Sequence, residues 1–246
     1  MKKFLAMLLS AALLCPAMAM AEDTIKIGIF EPMTGATAAG GSMEKEGFDL
    51  ANELYPDVLG KKIELVYGDN KSDRAEATLA AQSLVDKGVV AVLGSYGSGL
   101  SMAGGEVFAE SEIPALTATA TNPTITLDCE WYARICFIDP FQGTMLARYA
   151  VKNEYKKIAI MREKDSEYSV GLVKYFQDEI ATHDGYEVVA LCDFMNKDED
   201  FSALLGAVLD KKPDVIFTSV SYADKSAQIM KQARALGYEG AFFGGD

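Results

Sequence analysis

The chain has 246 residues, of which 50% are hydrophobic and 24% are charged, and its formal net charge at pH 7 is −13. A chain of this length can form one large domain or two modest ones, each with its own core. A surface this acidic repels nucleic acid and anionic lipid, so we expect neither as a partner.

Residues 1–21 have the pattern of a secretory signal peptide. Two lysines follow the first methionine, Leu5–Leu14 is an apolar stretch, and Ala19–Ala21 has the A-x-A form of a cleavage site. The apolar stretch is shorter than the ~20 residues that span a bilayer. We expect cleavage after Ala21 and export, with an uncleaved anchor as the alternative.

Three cysteines follow this segment, and an odd number in an oxidising compartment indicates one disulfide and one free thiol. Cys129 and Cys136 are close in sequence, which favours them over Cys192 as the bonded pair. The alternative is that all three are buried, reduced thiols.

From Thr24 onward, strand-like and helix-like patterns alternate. Amphipathic stretches, such as the one in which Phe201, Leu205 and Val208 share a face, separate the apolar runs. This order predicts an α/β fold with parallel sheets and right-handed crossovers. The predicted strands are Ile25–Phe30, Lys62–Tyr67, Val89–Leu93, Pro114–Leu116, Lys157–Met161, Glu187–Leu191, Asp214–Ser219 and Ala241–Phe243.

Local signals predict where several helices begin. Gly35–Gly41 is interpreted as a loop, and Ser42 as the cap of the helix after it. Asp73–Glu76 has the form of a capping box. A further helix is predicted over Ser101–Glu110, after a loop rich in small residues.

The strand–helix series divides into two parts near Ile138–Gly143, where a proline and a glycine favour a hinge. We expect an N-terminal α/β lobe over residues 22–138 and a C-terminal α/β lobe over residues 139–246. Asp246 directly follows a predicted strand that would normally be covered by a helix. We therefore expect the C-terminal lobe to be incomplete and the chain to be a fragment.

The residue inventory argues against catalysis. His183 is the only histidine and lies in a polar turn. Ser98 stands in a Gly-Ser-Gly sequence that lacks the full nucleophile-elbow pattern. No Cys/His cluster has metal-ligand spacing, and the glycine-rich stretches lack the Lys-Ser/Thr of a phosphate loop. We expect no metal and no cofactor, and an exported α/β enzyme is a distant alternative.

A binding site is better supported, because several polar side chains follow predicted strands directly. Ligands of open α/β sheets bind beyond the carboxyl ends of the strands. Backbone N–H groups and hydroxyls can hold a carboxylate there without a cationic side chain. The alternatives are that the threonines are loop or capping residues, that the tyrosines are packing residues and that the acid is a helix cap. The candidates are Ser98, Thr119, Thr121, Tyr168, Tyr222 and Asp246.

Seven motifs along the chain, in their order and spacing, resemble those of the periplasmic leucine/isoleucine/valine-binding proteins, the type I solute receptors of ABC importers. The resemblance extends from Ile25 to Asp246 and implies two α/β lobes joined by three crossover strands, with the ligand in the cleft between them. It also implies that the family fold continues beyond residue 246. The motifs are IKIGIFEPMTG with the following EKEGFDLANE, GSYGSG, ATATNP, RICFIDPFQGTMLARYA, YSVGL, DFSALL and FFGGD.

The resemblance also implies a role for each candidate residue. Ser98 and Thr121 would hold the α-carboxylate of an amino acid. The carbonyl of Thr119 and the side chain of Asp246 would accept hydrogen bonds from its α-ammonium group. Tyr168 would close over the ligand from the second lobe. The remaining second-lobe contact would come from Tyr222 or from Ser221 beside it.

By the same resemblance, the protein would be a monomeric periplasmic receptor that delivers an amino acid, branched-chain or similar, to an inner-membrane ABC permease. One position departs from the family pattern, since Gly40 stands where those receptors have an aromatic residue after the first glycine-rich turn. The departure implies more room, or less apolar cover, around the ligand side chain. A sensor or receptor of the same fold for an amide or another small polar metabolite is the alternative.

Overall fold

The computed structural model describes residues 24–246. The predicted signal peptide and its cleavage site lie outside the described residues. Within the described range, no helix is both long enough and apolar enough to cross a membrane.

The first part of the chain forms a six-stranded sheet. Its strands are β1 (Ile25–Glu31), β2 (Asp57–Val58), β3 (Lys61–Asp69), β4 (Ala91–Leu93), β5 (Ala115–Thr117) and β6 (Tyr132–Arg134). They lie in the order β2-β3-β1-β4-β5-β6. The short β2–β3 hairpin is antiparallel, and all other neighbours are parallel.

Three helices connect these strands. They are α1 (Ala38–Leu54), α2 (Arg74–Asp86) and α3 (Ser98–Glu110), with a short 3-10 turn at Pro123–Ile125. Phe30 of β1 and Phe108 of α3 meet edge to face in the centre of the core, with a ring-centroid distance of 5.4 Å. We call this sheet and its helices the first lobe.

The second part of the chain forms a four-stranded, fully parallel sheet. Its strands are β7 (Lys157–Glu163), β8 (Glu187–Phe194), β9 (Val215–Ser219) and β10 (Ala241–Gly244). They lie in the order β10-β9-β7-β8. The helices are α4 (Asp139–Lys152), α5 (Glu167–Ile180), α6 (Ser202–Leu209) and α7 (Ala223–Ala235), and we call this part the second lobe.

Each face of the second sheet carries its own core. On one face, α4 and α5 pack over an aromatic cluster in which the ring of Phe176 lies 4.9 Å from that of Phe217 and 5.7 Å from that of Phe243. On the other face, α6 and α7 bury Phe201 and Met161. Helices on both faces of a parallel sheet are the arrangement that continuous apolar strands require.

The predicted α/β pattern is confirmed, and every predicted strand is present within a few residues of its predicted ends. Sequence reasoning missed β2 and β6, which are two and three residues long. The capping box is confirmed, since Asp73 Oδ1 accepts hydrogen bonds from the N–H groups of Ala75 and Glu76 at 2.8 and 3.0 Å.

Two helix starts were predicted wrongly. Helix α1 begins at Ala38, so Ser42 lies inside the helix and does not cap it. The glycines before Ser42 allow close packing instead of a loop, because a Cβ at Gly41 would lie 2.4 Å from the carbonyl oxygen of Pro32. Helix α3 begins at Ser98 and not at Ser101, which puts Ser98 in the first turn.

The predicted disulfide is absent, because Cys129, Cys136 and Cys192 are all free thiols. Cys129 packs against the core of the first lobe. The Sγ atom of Cys136 instead donates to the carbonyl oxygen of Ala120 at 3.6 Å. The two side chains therefore have different neighbours in spite of their short separation in sequence.

The aromatic cluster of the second lobe predicts a large effect of Phe176→Ala. Its ring is fully buried, and its loss should lower the free energy of unfolding by about 3–5 kcal/mol. Urea unfolding measures the change. Phe141→Ala on α4 is the control, because that ring is 59% exposed and its loss should cost no more than about 0.5 kcal/mol. Equal losses in the two variants would contradict this description of the core.

Candidate ligand-binding site

The carboxyl ends of the strands of both sheets face a common cleft. Apart from β2, all these strands are parallel, but the side on which successive strands are added to the sheet changes between β1 and β4 in the first sheet and between β7 and β9 in the second. Such switch points leave a crevice in which ligands of α/β proteins bind. A cavity of about 260 Å³ lies here, lined by Tyr96, Gly97, Ser98, Thr119, Ala120, Thr121, Tyr168, Val220, Ser221 and Asp246.

All the predicted site residues except Tyr222 line this cavity. Tyr222 is instead the residue before helix α7, and its hydroxyl accepts a hydrogen bond from Asn196 Nδ2 at 2.8 Å. It lines the neighbouring groove, while Ser221 reaches the cavity in its place. The geometry thus brings Ser98, Thr119 and Thr121 of the first lobe opposite Tyr168, Ser221 and Asp246 of the second.

One wall of the cavity offers hydrogen-bond donors. Helix α3 begins there, and the residue before it, Gly97, has no side chain that could cap the first turn. The N–H groups of that turn and the helix dipole favour a negative charge. The hydroxyl oxygen of Thr121 is buried on the same wall, beside the Asp139 carboxyl group. This wall is suited to a carboxylate.

The opposite wall offers an acid held in a fixed position. Asp246 Oδ1 accepts hydrogen bonds from Gln142 Nε2 and from the Tyr168 hydroxyl, both at 2.7 Å. Burial, and the charge of Asp246 after it, raise the pKa of the Tyr168 phenol, so it remains a protonated donor at neutral pH. The carboxylate is thereby oriented toward the cavity that it lines.

Two carboxyl groups lie behind the donor wall, one on the buried Glu31 and one on the half-buried Glu44. Glu31, at the end of β1, accepts a hydrogen bond from the N–H of Tyr96 at 2.8 Å. Burial, followed by repulsion from Glu44, raises the pKa of Glu31 to about 10. Burial also raises the pKa of Glu44, whose carboxylate accepts from the Thr119 hydroxyl. A protonated Glu31 can donate to Glu44, and the pair then links the two loops that carry Tyr96 and Thr119.

The second lobe repeats this arrangement. Glu163 is buried at the end of β7, as Glu31 is at the end of β1. It accepts a hydrogen bond from the N–H of Ser221, after β9, at 2.7 Å. Burial raises the pKa of Glu163 as well. In each lobe a glutamate at the switch point therefore holds the cavity loop of the neighbouring strand.

Behind Thr121 lies a further buried acid, Asp139, which opens helix α4. Its N–H donates to the carbonyl oxygen of Thr121 at 3.1 Å. Burial raises the pKa of Asp139 to about 6; the Thr121 hydroxyl opposes this increase, the charge of Asp246 adds to it, and Arg134 opposes it. The donor wall is thus supported by carboxyl groups that burial favours in their neutral form.

Direct contacts hold the two lobes together around the cavity. Arg74 of the first lobe forms an ion pair with Glu167 of the second. Asn122 Nδ2 donates to the backbone carbonyl of Glu167 at 3.0 Å, and the Tyr96 hydroxyl lies 3.5 Å from the carbonyl oxygen of Ser221. These three contacts join the two lobes next to the cavity.

Sequence reasoning missed several residues of this site, among them Glu31, Tyr96, Glu44 and Gln142. Glu31 is the last residue of β1, and Tyr96 lies three residues after the end of β4, so the rule that identified Thr119 would have identified them too. Glu44 and Gln142 lie on helices, where sequence position alone does not indicate a direction toward the cleft.

The raised pKa of Glu31 predicts a pH-dependent stability. Between the ordinary value of 4.5 and the folded value of about 10, the folded state binds the extra proton, so stability should fall as pH rises through this window. Glu31→Gln stays neutral and should reduce that slope by the share that Glu31 contributes, which urea unfolding between about pH 5 and about pH 9 would measure. Glu53→Gln, at an exposed position of α1, is the control. An unchanged slope in Glu31→Gln would show that Glu31 is ionised in the fold.

Comparison with known proteins gives a consistent assignment. A leucine-binding protein, LivK, from Thermotoga maritima superposes with a TM-score of 0.86 and 36% identity, over 89% of this chain and 63% of that one. The protein LivJ from Streptococcus pneumoniae, solved with isoleucine, superposes with a TM-score of 0.83 and 31% identity, over 90% of this chain and 64% of that one.

The Leu/Ile/Val-binding protein BraC3 of Rhizobium johnstonii is 30% identical over 92% of this chain, which spans 62% of the relative's length. Residues 24–245 match the sequence profile of the family described as periplasmic binding protein. The match covers nearly all described residues, in agreement with the two facing α/β lobes. The chain therefore belongs to the periplasmic binding protein family.

Proposed function

We propose that this protein captures an amino acid with a small aliphatic side chain, branched-chain or similar, between its two lobes. The observation that carries the proposal is the charge pattern of the cavity. Of the described residues that line it, Asp246 alone is charged, and it lies opposite the first turn of helix α3. A zwitterion with its carboxylate toward Ser98 and its ammonium group toward Asp246 would satisfy both walls.

The hydrogen bonds available are sufficient for useful affinity. A hydrogen bond to a charged group contributes about 1.5–3 kcal/mol. A micromolar dissociation constant requires about −8 kcal/mol in total. A few bonds from Ser98, Thr121 and Asp246, with burial of the ligand side chain, can reach this value after the cost of ordering the ligand.

The size of the cavity supports a small ligand. Its volume of about 260 Å³ lies below the ~300–1,000 Å³ that is usual for drug-sized molecules. Val220 contributes an aliphatic surface to the lining. The solved relatives with this fold include a leucine-binding protein and one in complex with isoleucine, and both ligands are of the proposed class.

Closure of the lobes would couple binding to delivery. A ligand that contacts Ser98 on one lobe and Asp246 on the other stabilises the closed arrangement, in which Arg74 pairs with Glu167. Closure also brings together surfaces of the two lobes that an open form would separate. Together with the predicted signal peptide and its cleavage after Ala21, such a closure supports the proposal of a receptor in the periplasm that delivers its ligand to an inner-membrane ABC permease.

Isothermal titration calorimetry with each of the twenty amino acids would test the proposal. We expect heat of binding with leucine, isoleucine or valine. Asp246→Asn should weaken that binding by about 10- to 100-fold, because the ligand ammonium group loses a charged acceptor. Asp200→Asn, in an exposed turn, should leave affinity unchanged.

Two results would contradict the proposal. Heat with none of the amino acids would remove the amino-acid ligand. Equal affinity of Asp246→Asn and the unsubstituted protein would remove the role of Asp246 as the acceptor for the ammonium group.

A further inference from the structure

Asp139 is a buried acid at the junction of the two lobes. It is the first residue of helix α4 in the second lobe, and its N–H donates to the carbonyl oxygen of Thr121 in the first lobe at 3.1 Å. Helix α5 covers the carboxyl group through Gly171, where a Cβ would lie 3.3 Å from Asp139 Oδ2. The glycine therefore lets the backbone of α5 lie close against the acid.

The hydroxyl group of Thr121 is the hydrogen-bond partner of the Asp139 carboxyl group. It acts on that carboxyl group as a donor and lowers its pKa. Among residues 24–246, neither carboxyl oxygen of Asp139 has another hydrogen-bond partner, and neither does the hydroxyl oxygen of Thr121. The two side chains are 0% and 1% exposed. The two groups therefore depend on each other, and the residues that bury them are all within the described part of the chain.

The charged groups around Asp139 come from three other elements. Burial, the largest effect, raises the pKa of Asp139 to about 6, while the Thr121 hydroxyl lowers it, Asp246 after β10 raises it and Arg134 of β6 lowers it. Tyr168 of α5 also faces this acid, but its raised pKa keeps the phenol neutral. Near pH 7 the site without ligand therefore has Asp139 mainly ionised and accepting from Thr121.

The Thr121 hydroxyl cannot donate to Asp139 and to a ligand carboxylate at the same time. A hydroxyl group has one hydrogen and two acceptor lone pairs. While Asp139 is ionised, this hydrogen points to Asp139, and a ligand carboxylate would meet only the lone pairs. When Asp139 is protonated, it can donate to the Thr121 oxygen, and the hydroxyl hydrogen is free to point into the cavity.

We propose that Asp139 is a positioning residue that takes up one proton from solvent when the amino acid binds and so directs the Thr121 hydroxyl toward the ligand carboxylate. The inference rests on the proposed function and adds a coupling between ligand and proton. No covalent bond of the ligand changes. Because coupling between two bound species is reciprocal, protonation of Asp139 must strengthen ligand binding by the same factor.

The sign of the pH dependence follows from this coupling. Binding should be tightest below the pKa of Asp139 in the free protein, which is about 6, and should weaken as the pH rises above it. Since one pKa unit corresponds to a tenfold change in an equilibrium constant, affinity should fall by about 10-fold or more between about pH 5 and about pH 8. Free leucine keeps both of its charges throughout this range.

Calorimetry in two buffers of different ionisation enthalpy measures the proton taken up on binding. The ligand is whichever of leucine, isoleucine and valine binds most tightly. Other groups with a raised pKa, such as Glu163, titrate as well, so the quantity to compare is the difference from Asp139→Asn. Near pH 7 the unsubstituted protein should take up about half a proton or more in excess of this variant.

Asp139→Asn also separates positioning from packing. Its amide Nδ2 can donate to the Thr121 oxygen at every pH, so the variant should bind about 10-fold more tightly than the unsubstituted protein at about pH 8. Asp200→Asn, the same substitution in an exposed turn, is the matched control and should keep the full proton uptake. If Asp139→Asn does not fold, Thr121→Val replaces it. Without the hydroxyl, Asp139 loses its donor and should stay protonated with and without ligand.

The outcomes separate this inference from the proposed function. If the unsubstituted protein binds none of the amino acids, the proposed function fails, and the inference fails with it. If an amino acid binds with equal proton uptake in the unsubstituted protein and in Asp139→Asn, the role of Asp139 alone is overturned. Weaker binding of Asp139→Asn by the same factor at every pH would also overturn it, because that result indicates packing only.

Discussion

The parallel pairing of the strands is the constraint on which the rest of this structure depends. Because β1, β4 and β5 run in the same direction, the loops that follow them emerge at one edge of the first sheet. The same holds for β7, β9 and β10 in the second sheet. These two edges face each other, so residues far apart in sequence, such as Ser98 and Asp246, line one cavity.

Buried carboxyl groups then give this cavity its polarity. Glu31 and Glu163, at equivalent places in the two lobes, each accept an N–H from a cavity loop. Gln142 and Tyr168 orient Asp246 in the same way. Positioning donors and acceptors in advance lowers the cost of ordering them on binding. A ligand would therefore meet hydrogen-bonding groups that these side chains already hold in place.

The sequence predicts the fold well, because continuous apolar runs such as β1 and β9 identify buried parallel strands without ambiguity. It also identifies most of the polar residues that line the candidate cavity, since Thr119 and Thr121 lie shortly after the end of a strand. It does not predict the glycine contacts, because the packing of Gly40 on Tyr96 joins a helix to a loop distant in sequence. Short strands such as β2 are also missed, because two residues carry no periodic pattern.

The central claim is that the two walls bind the two charged groups of a zwitterion. Analogues of the bound amino acid test this claim most directly. Calorimetry would compare the amino acid with its carboxamide and with its deaminated acid. We predict that each analogue binds at least about 10-fold more weakly, and that the deficit of the deaminated acid shrinks in Asp246→Asn. Equal affinity for the amino acid and both analogues would contradict the account.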